Sequence, residues 1–330
     1  MLIALLLTLL SSAPAAQEKA PVSPAAATLG TGAHRYRWVS GWLEQPGGKE
    51  LGNTHGGIAF DSKGNLYFNT DTERAVMVYD ANGKYLRSFG PELAGGVHGM
   101  VIRKEGDAEF LYLVHTGKGE LHKRKLDGEL VWALPCPAES SKYEGGAGYH
   151  PTGIAIGPKG ELFVADGYGK GFVHRFDAER KYLGSFGGPG TEPGQFQTPH
   201  GIAVDTRTDP PTLLVADREN HRLQRFDFEG RHLGVIEGFR RPCSVDVQGE
   251  FALVADLAGR VTILNAKNEV FTHIGDNPNE GLRAQNGVPR EQWQDGCFTA
   301  PHFAKWDSKG NLYVLDWNYL GRVTKLERVR

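Results

Sequence analysis

"TPHGIAVDTRTDPPTLLVADRENHR", residues 198–222, decides how this chain is read. After His200-Gly201 comes an apolar run, Ile202 to Val204, then a turn rich in Asp, Thr and Pro, then a second run, Leu213 to Ala216, ending on Asp217. Two short apolar runs about a Pro-rich turn make a β-hairpin, because neither run has helical period or helical length. The outline returns as "THGGIAFDSKGNLYFNTD", "VHGMVIRKEGDAEFLYLVHT", "PTGIAIGPKGELFVADG", "CSVDVQGEFALVAD" and "PHFAKWDSKGNLYVLDW". The six openings fall near residues 55, 98, 152, 200, 243 and 302, a spacing of roughly 43 to 59 residues, which is the range of propeller blades.

In the third copy the unit is complete: "TGIAIG", "ELFVADG", "FVHRFD" and "KYLGSFG" read as four antiparallel strands. The sixth copy supplies three and stops at "GRVTKLERVR", while "HRYRWVSGWLE" from His34 has the pattern of the missing fourth. An all-β, six-bladed propeller over residues 34–330 is predicted, closed by that N-terminal strand so that no sheet edge stays open.

Ahead of it, "MLIALLLTLLSSAPAAQ" (residues 1–17) reads as a secretory signal peptide and residues 18–33 as a disordered linker rich in Ala, Pro and Gly. The expected protein is secreted or periplasmic, monomeric, and without stable membrane insertion once the signal is removed. A net charge of −2 provides no long-range field for nucleic acid. Cys136, Cys243 and Cys297 show no CxxC spacing and no disulfide framework.

In a propeller the residues opening each first strand and those following each second strand share one face. The openings carry His55, His98, Thr152, His200, Cys243 and His302; the returns carry Asp71, Thr116, Asp166-Gly167-Tyr168, Asp217-Arg218, Asp256 and Asp316. His98, His200 and His302 belong to alternate blades, so a six-fold ring brings them about 120° apart at one height. Three imidazoles with an open position make a catalytic zinc site. His55 is expected as a substrate contact or a contact behind the ligands. The repeated aspartates read as structural, because a role that recurs with every blade belongs to the fold. His115, His122 and His150 read as packed or solvated rather than as ligands. The long segment from His273 to Ala300 reads as a loop beside the site, either lid or decoration.

The wording "HGIAVD…LLVADRENHRLQRF", residues 200–226, resembles the NHL repeat. More narrowly, the order of "GVHGM", "VADGY", "PHGIAV", "VADREN" and "APHF" is similar to the peptidyl-α-hydroxyglycine α-amidating lyase family. That resemblance implies zinc on His98, His200 and His302, Tyr168 as base, and Arg218 as carboxylate grip. The implied reaction cleaves a peptidyl hydroxyglycine to peptide amide and glyoxylate. An Arg that the family carries on the return of blade one is absent, with Asn69 and Thr70 in its place and Arg74 as the nearby substitute for substrate binding. Phe303 stands where the family's calcium-binding Asp would, and a phenyl ring cannot ligate calcium. Gly169 and Leu214 replace family cysteines, so its disulfides are not expected. The competing expectation is a non-catalytic NHL propeller that binds a peptide, protein or glycan at the channel mouth.

Overall fold

The computed structural model describes residues 28–329. The expected signal peptide and most of the expected linker lie outside the described residues. Six antiparallel sheets surround a central axis, five of them with their strands in sequence order from the inside outwards and the sixth completed on its outer side by the N-terminal segment. The inner strands are Ile58–Phe60, Val97–Glu105, Gly153–Ile156, Pro199–Asp205, Pro242–Gln248 and Pro301–Trp306. Each packs on the next, and Pro301–Trp306 packs on Ile58–Phe60 to complete the ring. The quoted stretch provides the inner hairpin of blade four, Pro199–Asp205 paired with Thr212–Asp217.

In blade six the outer place is filled by His34–Val39, antiparallel to Arg322–Arg328 with Tyr36 opposite Arg328 and Trp38 opposite Leu326. The linker is shorter than expected: Leu29–Thr31 turns back on His34–Val39 and adds a fifth strand. Apolar Leu29 packs against the core between blades five and six, which is why the chain is ordered there in spite of its Gly-rich composition.

Among the described residues the core consists of six hydrophobic clusters, one between each pair of neighbouring blades, with a small seventh of Cys243, Leu257 and Ala300 near the channel. Strand alternation explains why. In "TLLVAD", Leu213 and Val215 face blade three while Leu214 and Ala216 face blade five. Both faces of each blade are thus apolar, and the second strands read as unbroken hydrophobic runs.

The recurrent aspartates clamp each inner strand in position. Asp217 Oδ1 accepts the Gln197 N–H (2.8 Å), Asp256 accepts those of Arg240 and Arg241, and Asp316 Oδ1 accepts those of Thr299 (2.9 Å) and Ala300 (2.7 Å). Each therefore fixes the segment just before His200, Cys243 or His302. Asp166 does the same for His150 in blade three. Blade two has His115 in this place and blade one has Thr70; the amide of the neighbouring Asn69 donates to the Val97 carbonyl (2.7 Å) of the next blade.

His34, His115 and His174 are buried in the blades, and burial lowers each from 6.5 to about 4, helped by Arg328, Lys118 and Lys142 respectively. Their unfolded counterparts titrate near 6.5, so between pH 6.5 and 4 the unfolded chain binds more protons. Their stabilisation is complete above that window and is lost as pH falls through it, by on the order of 1 kcal/mol per pH unit for each. Urea midpoints should therefore drop steeply from pH 7 to pH 5, and His174→Gln should flatten the slope. A midpoint level across this range would contradict the assignment.

Candidate metal centre

The close packing of inner strands defines the register of the channel wall. A Cβ on Gly57 would meet the His98 carbonyl, one on Gly99 the Thr152 carbonyl, one on Gly153 the His200 carbonyl, and one on Gly201 the Cys243 carbonyl. The equivalent slots are therefore Gly56, His98, Thr152, His200, Cys243 and His302. His55 is one residue out of phase: the sequence placed it with the other histidines, and the structure gives its slot to Gly56. "THGGI" holds one more residue between His and Ile than "PHGI", and that extra glycine was the available signal.

His98, His200 and His302 converge across the axis, with ring centroids 4.7, 5.0 and 4.6 Å apart. His98 Nδ1 donates to the Thr152 carbonyl (2.6 Å) and His200 Nδ1 to the Cys243 carbonyl (2.9 Å), each on the following blade. Such bonds select the tautomer that turns the Nε2 lone pair inward. The Gly56 carbonyl takes the equivalent place beside His302 without reaching hydrogen-bond geometry, and both ring nitrogens of His302 are buried and unpaired. His98 Nε2 is likewise buried and unpaired. Burial drives all three imidazoles well below 6.5, reinforced at His98 and His302 by His55 and at His200 by Arg218. They are neutral at physiological pH, the form that coordinates metal. An unpaired buried nitrogen costs about 1–3 kcal/mol, which a cation on this cluster would recover. The residues present therefore fit a zinc ion by donor type, tautomer and orphaned lone pairs.

The most compact groupings of ligand atoms are not the expected triad. His55, His98 and His302 lie within 4.8 Å of one another, and so do His200, Cys243 and His302. His302 belongs to both. Cys243 is the residue that sequence reasoning missed here. Burial raises its thiol to about 11, with Arg218 pulling the other way.

Tyr168, on the return of blade three, leans over this cluster. Its hydroxyl donates to His200 Nε2 at 2.9 Å and lies 3.5 Å from His55 Nε2. Burial raises the phenol above 10, and Arg218 opposes that shift. Arg218 Nη1 donates to the Tyr168 oxygen (3.3 Å), its guanidinium lies over the ring at 5.4 Å, and its Nε donates to Glu219 (2.8 Å). Arg241 holds the other side of Glu219, and against burial the two guanidiniums keep that carboxylate below its usual range. This Arg218–Glu219–Arg241 bridge between blades four and five was not foreseen. The long loop before His302 is tied across the same face, through Asn286 to Asn53 (2.9 Å) and through Arg290 to Glu50.

Arg74 does not join the site. Its Nη2 donates to the Glu50 carbonyl (2.8 Å) on the rim of blade one, so it does not replace the missing arginine. Between the inner strands a small cavity of about 20 Å³ is bounded by His98, His200, Thr152, Cys243 and Ser244 together with Met100, Ile154, Ile202, Val245 and Phe303. This lining offers a hard cation no carboxylate oxygen. All three cysteines are free thiols.

Comparison with known proteins agrees with this reading of the fold and the motifs. The NHL repeat matches residues 196–226. A probable peptidyl-α-hydroxyglycine α-amidating lyase of Caenorhabditis elegans is 26% identical over 229 residues, 66% of this chain and 60% of the relative. The peptidyl-glycine α-amidating monooxygenase of Mus musculus is 29% identical over 217 residues, 56% of this chain and 22% of that protein. The chain thus spans less than two thirds of either relative. Among solved structures, a gluconolactonase from Xanthomonas campestris superimposes with TM-score 0.63 at 13% identity, covering 93% of this chain and 98% of that one. A streptogramin B lyase does so with TM-score 0.60 at 13% identity, covering 88% and 97%. These two likenesses speak for the fold alone. The chain is a six-bladed propeller that carries an NHL repeat at residues 196–226 and is distantly homologous to the peptidyl-α-hydroxyglycine α-amidating lyases.

Proposed function

We propose that this propeller is an exported, zinc-dependent carbon–nitrogen lyase that cleaves a carbinolamide of the peptidyl-α-hydroxyglycine type to an amide and glyoxylate. The observation that supports it is the convergence of three neutral imidazoles, two with unpaired Nε2 atoms, beneath a tyrosine hydroxyl and an arginine. His98, His200 and His302 would hold the zinc. When bound it supplies Lewis acidity towards the substrate hydroxyl and positive charge beside the Tyr168 phenol.

The chain's own groups do the rest. Tyr168, as phenolate, takes the proton from the substrate hydroxyl while the carbon–nitrogen bond breaks, and returns it to the departing amide nitrogen. Atoms balance: the carbinol carbon becomes the aldehyde of glyoxylate, and the nitrogen leaves as a primary amide. Arg218 opposes the rise that burial imposes on Tyr168 and presents a fork that fits the carboxylate of the glyoxylyl unit. The Glu219 bridge from Arg241 orients that fork. Calcium has no role in this proposal.

The test is glyoxylate release from a hydroxyglycine-terminated peptide by protein of known metal content. Activity proportional to zinc, abolished by exhaustive chelation and restored by zinc alone, is expected. Undiminished turnover in zinc-free protein would reject the reading, and zinc-loaded protein inert toward any carbinolamide would favour the non-catalytic binding propeller.

A further inference from the structure

We propose that the Cys243 thiol is a further ligand of this centre, so that the site takes a borderline-to-soft divalent cation through sulfur as well as imidazole nitrogen. The inference rests on the three-imidazole reading and adds a ligand to it; with four protein ligands in place the substrate hydroxyl would have to reach the metal as a fifth ligand.

The argument starts from the six slots of the channel wall. Histidine fills the slots of blades two, four and six. Between them lie Gly56, Thr152 and Cys243. Gly56 has no side chain to offer. The Thr152 hydroxyl is engaged with backbone, lying 3.3 Å from the Ala165 carbonyl and 3.1 Å from that of Pro199 while accepting from Gly167 N. Cys243, between His200 and His302, differs: its Sγ, whose other polar neighbour is the Arg218 guanidinium, lies within 4.8 Å of a ring nitrogen of each. Cys243 is 1% exposed and His302 is 2% exposed. The second, independent observation is at His302, whose two buried ring nitrogens have no partner. A buried imidazole with nothing to bind and a thiol facing the same space form half of a nitrogen–sulfur coordination set.

Binding exchanges one bond for another: the S–H bond breaks, an S–metal bond forms, and the proton goes to solvent. No oxidant or reductant is required. Sulfur in the set moves the preference of the site away from oxygen-seeking cations such as magnesium and calcium, towards zinc, cobalt(II) and cadmium.

Cobalt(II) reports the ligand directly. Full-length protein stripped by chelator and titrated with cobalt(II) should develop visible ligand-field bands together with an intense near-ultraviolet sulfur-to-cobalt charge-transfer band. In Cys243→Ser the near-ultraviolet band should vanish while the visible bands persist, and affinity for cadmium relative to zinc should fall by roughly tenfold or more. A Cys136→Ser/Cys297→Ser double variant should keep both sets of bands. If the Cys243 variant fails to fold, judged by its circular dichroism, the wild-type and double-variant spectra still decide. Visible bands without the near-ultraviolet band in wild type would overturn the cysteine ligand and leave the three-imidazole site standing. Failure to bind cobalt at all would overturn both.

Discussion

His302→Ala should abolish zinc binding and lower activity by on the order of 10³-fold or more, because it removes the one residue common to both compact ligand groupings. It should do so without weakening the metal-free fold. Both ring nitrogens of His302 are buried and unpaired, so in the absence of a cation the side chain brings a desolvation penalty that alanine lacks. That relief offsets some of the packing lost with the ring. Chelated wild type and chelated variant should therefore melt at similar temperatures, or the variant slightly higher. Adding zinc should raise the wild-type melting temperature and leave the variant where it was, since a ligand stabilises only the state that binds it. Calorimetry with and without zinc, read beside metal content, checks the prediction. A variant that keeps stoichiometric zinc, or one whose chelated form unfolds many degrees below chelated wild type, would show His302 to be a packing residue.

Tyr168→Phe should separate chemistry from metal binding. The hydroxyl sits 2.9 Å from His200 Nε2, so its loss leaves the imidazoles in place and zinc content unchanged. A general base contributes about 10²–10⁴-fold, and kcat should fall by that factor. Arg218→Met should act on the same group through charge. Burial raises the phenol and Arg218 pulls it down. Removing the guanidinium therefore shifts the alkaline-rising limb of the pH–rate profile to higher pH, and Arg218→Lys should restore part of the shift. A Tyr168→Phe protein with full kcat would leave the tyrosine as a lid on the channel and nothing more.

The histidine triad could be read from the sequence because periodicity turns directly into angle: residues opening alternate strands of a six-bladed ring must converge. Tyr168 and Arg218 could be read for a related reason. Each lies within three residues of the end of a second strand, where the chain turns over the mouth of the channel. Arg74 could not be placed in this way. It lies three residues beyond Asp71, in a loop whose course follows from local backbone carbonyls, and those carbonyls draw it to Glu50 at the rim. His55 misled because "HG" looks like the repeat wording, whereas the strand is set by where Ile58 and Ala59 pack and not by the first letter of the motif. Cys243 was seen as an opening residue but not as part of the site, since its importance depends on the distance of Sγ from two histidines 43 and 59 residues away in the chain.

By itself the sequence determined the six-bladed ring, its four-stranded unit and the angular order of the imidazoles around the axis. These follow from alternation and spacing, which are local properties of the chain that the fold repeats. Only the tertiary structure decided which nitrogens were left without partners, which arginine faces Tyr168, and that a thiol stands between two of the histidines. Those depend on how far each blade is packed toward its neighbour. That distance is set by side-chain volume in the six interfaces, and no single repeat contains it.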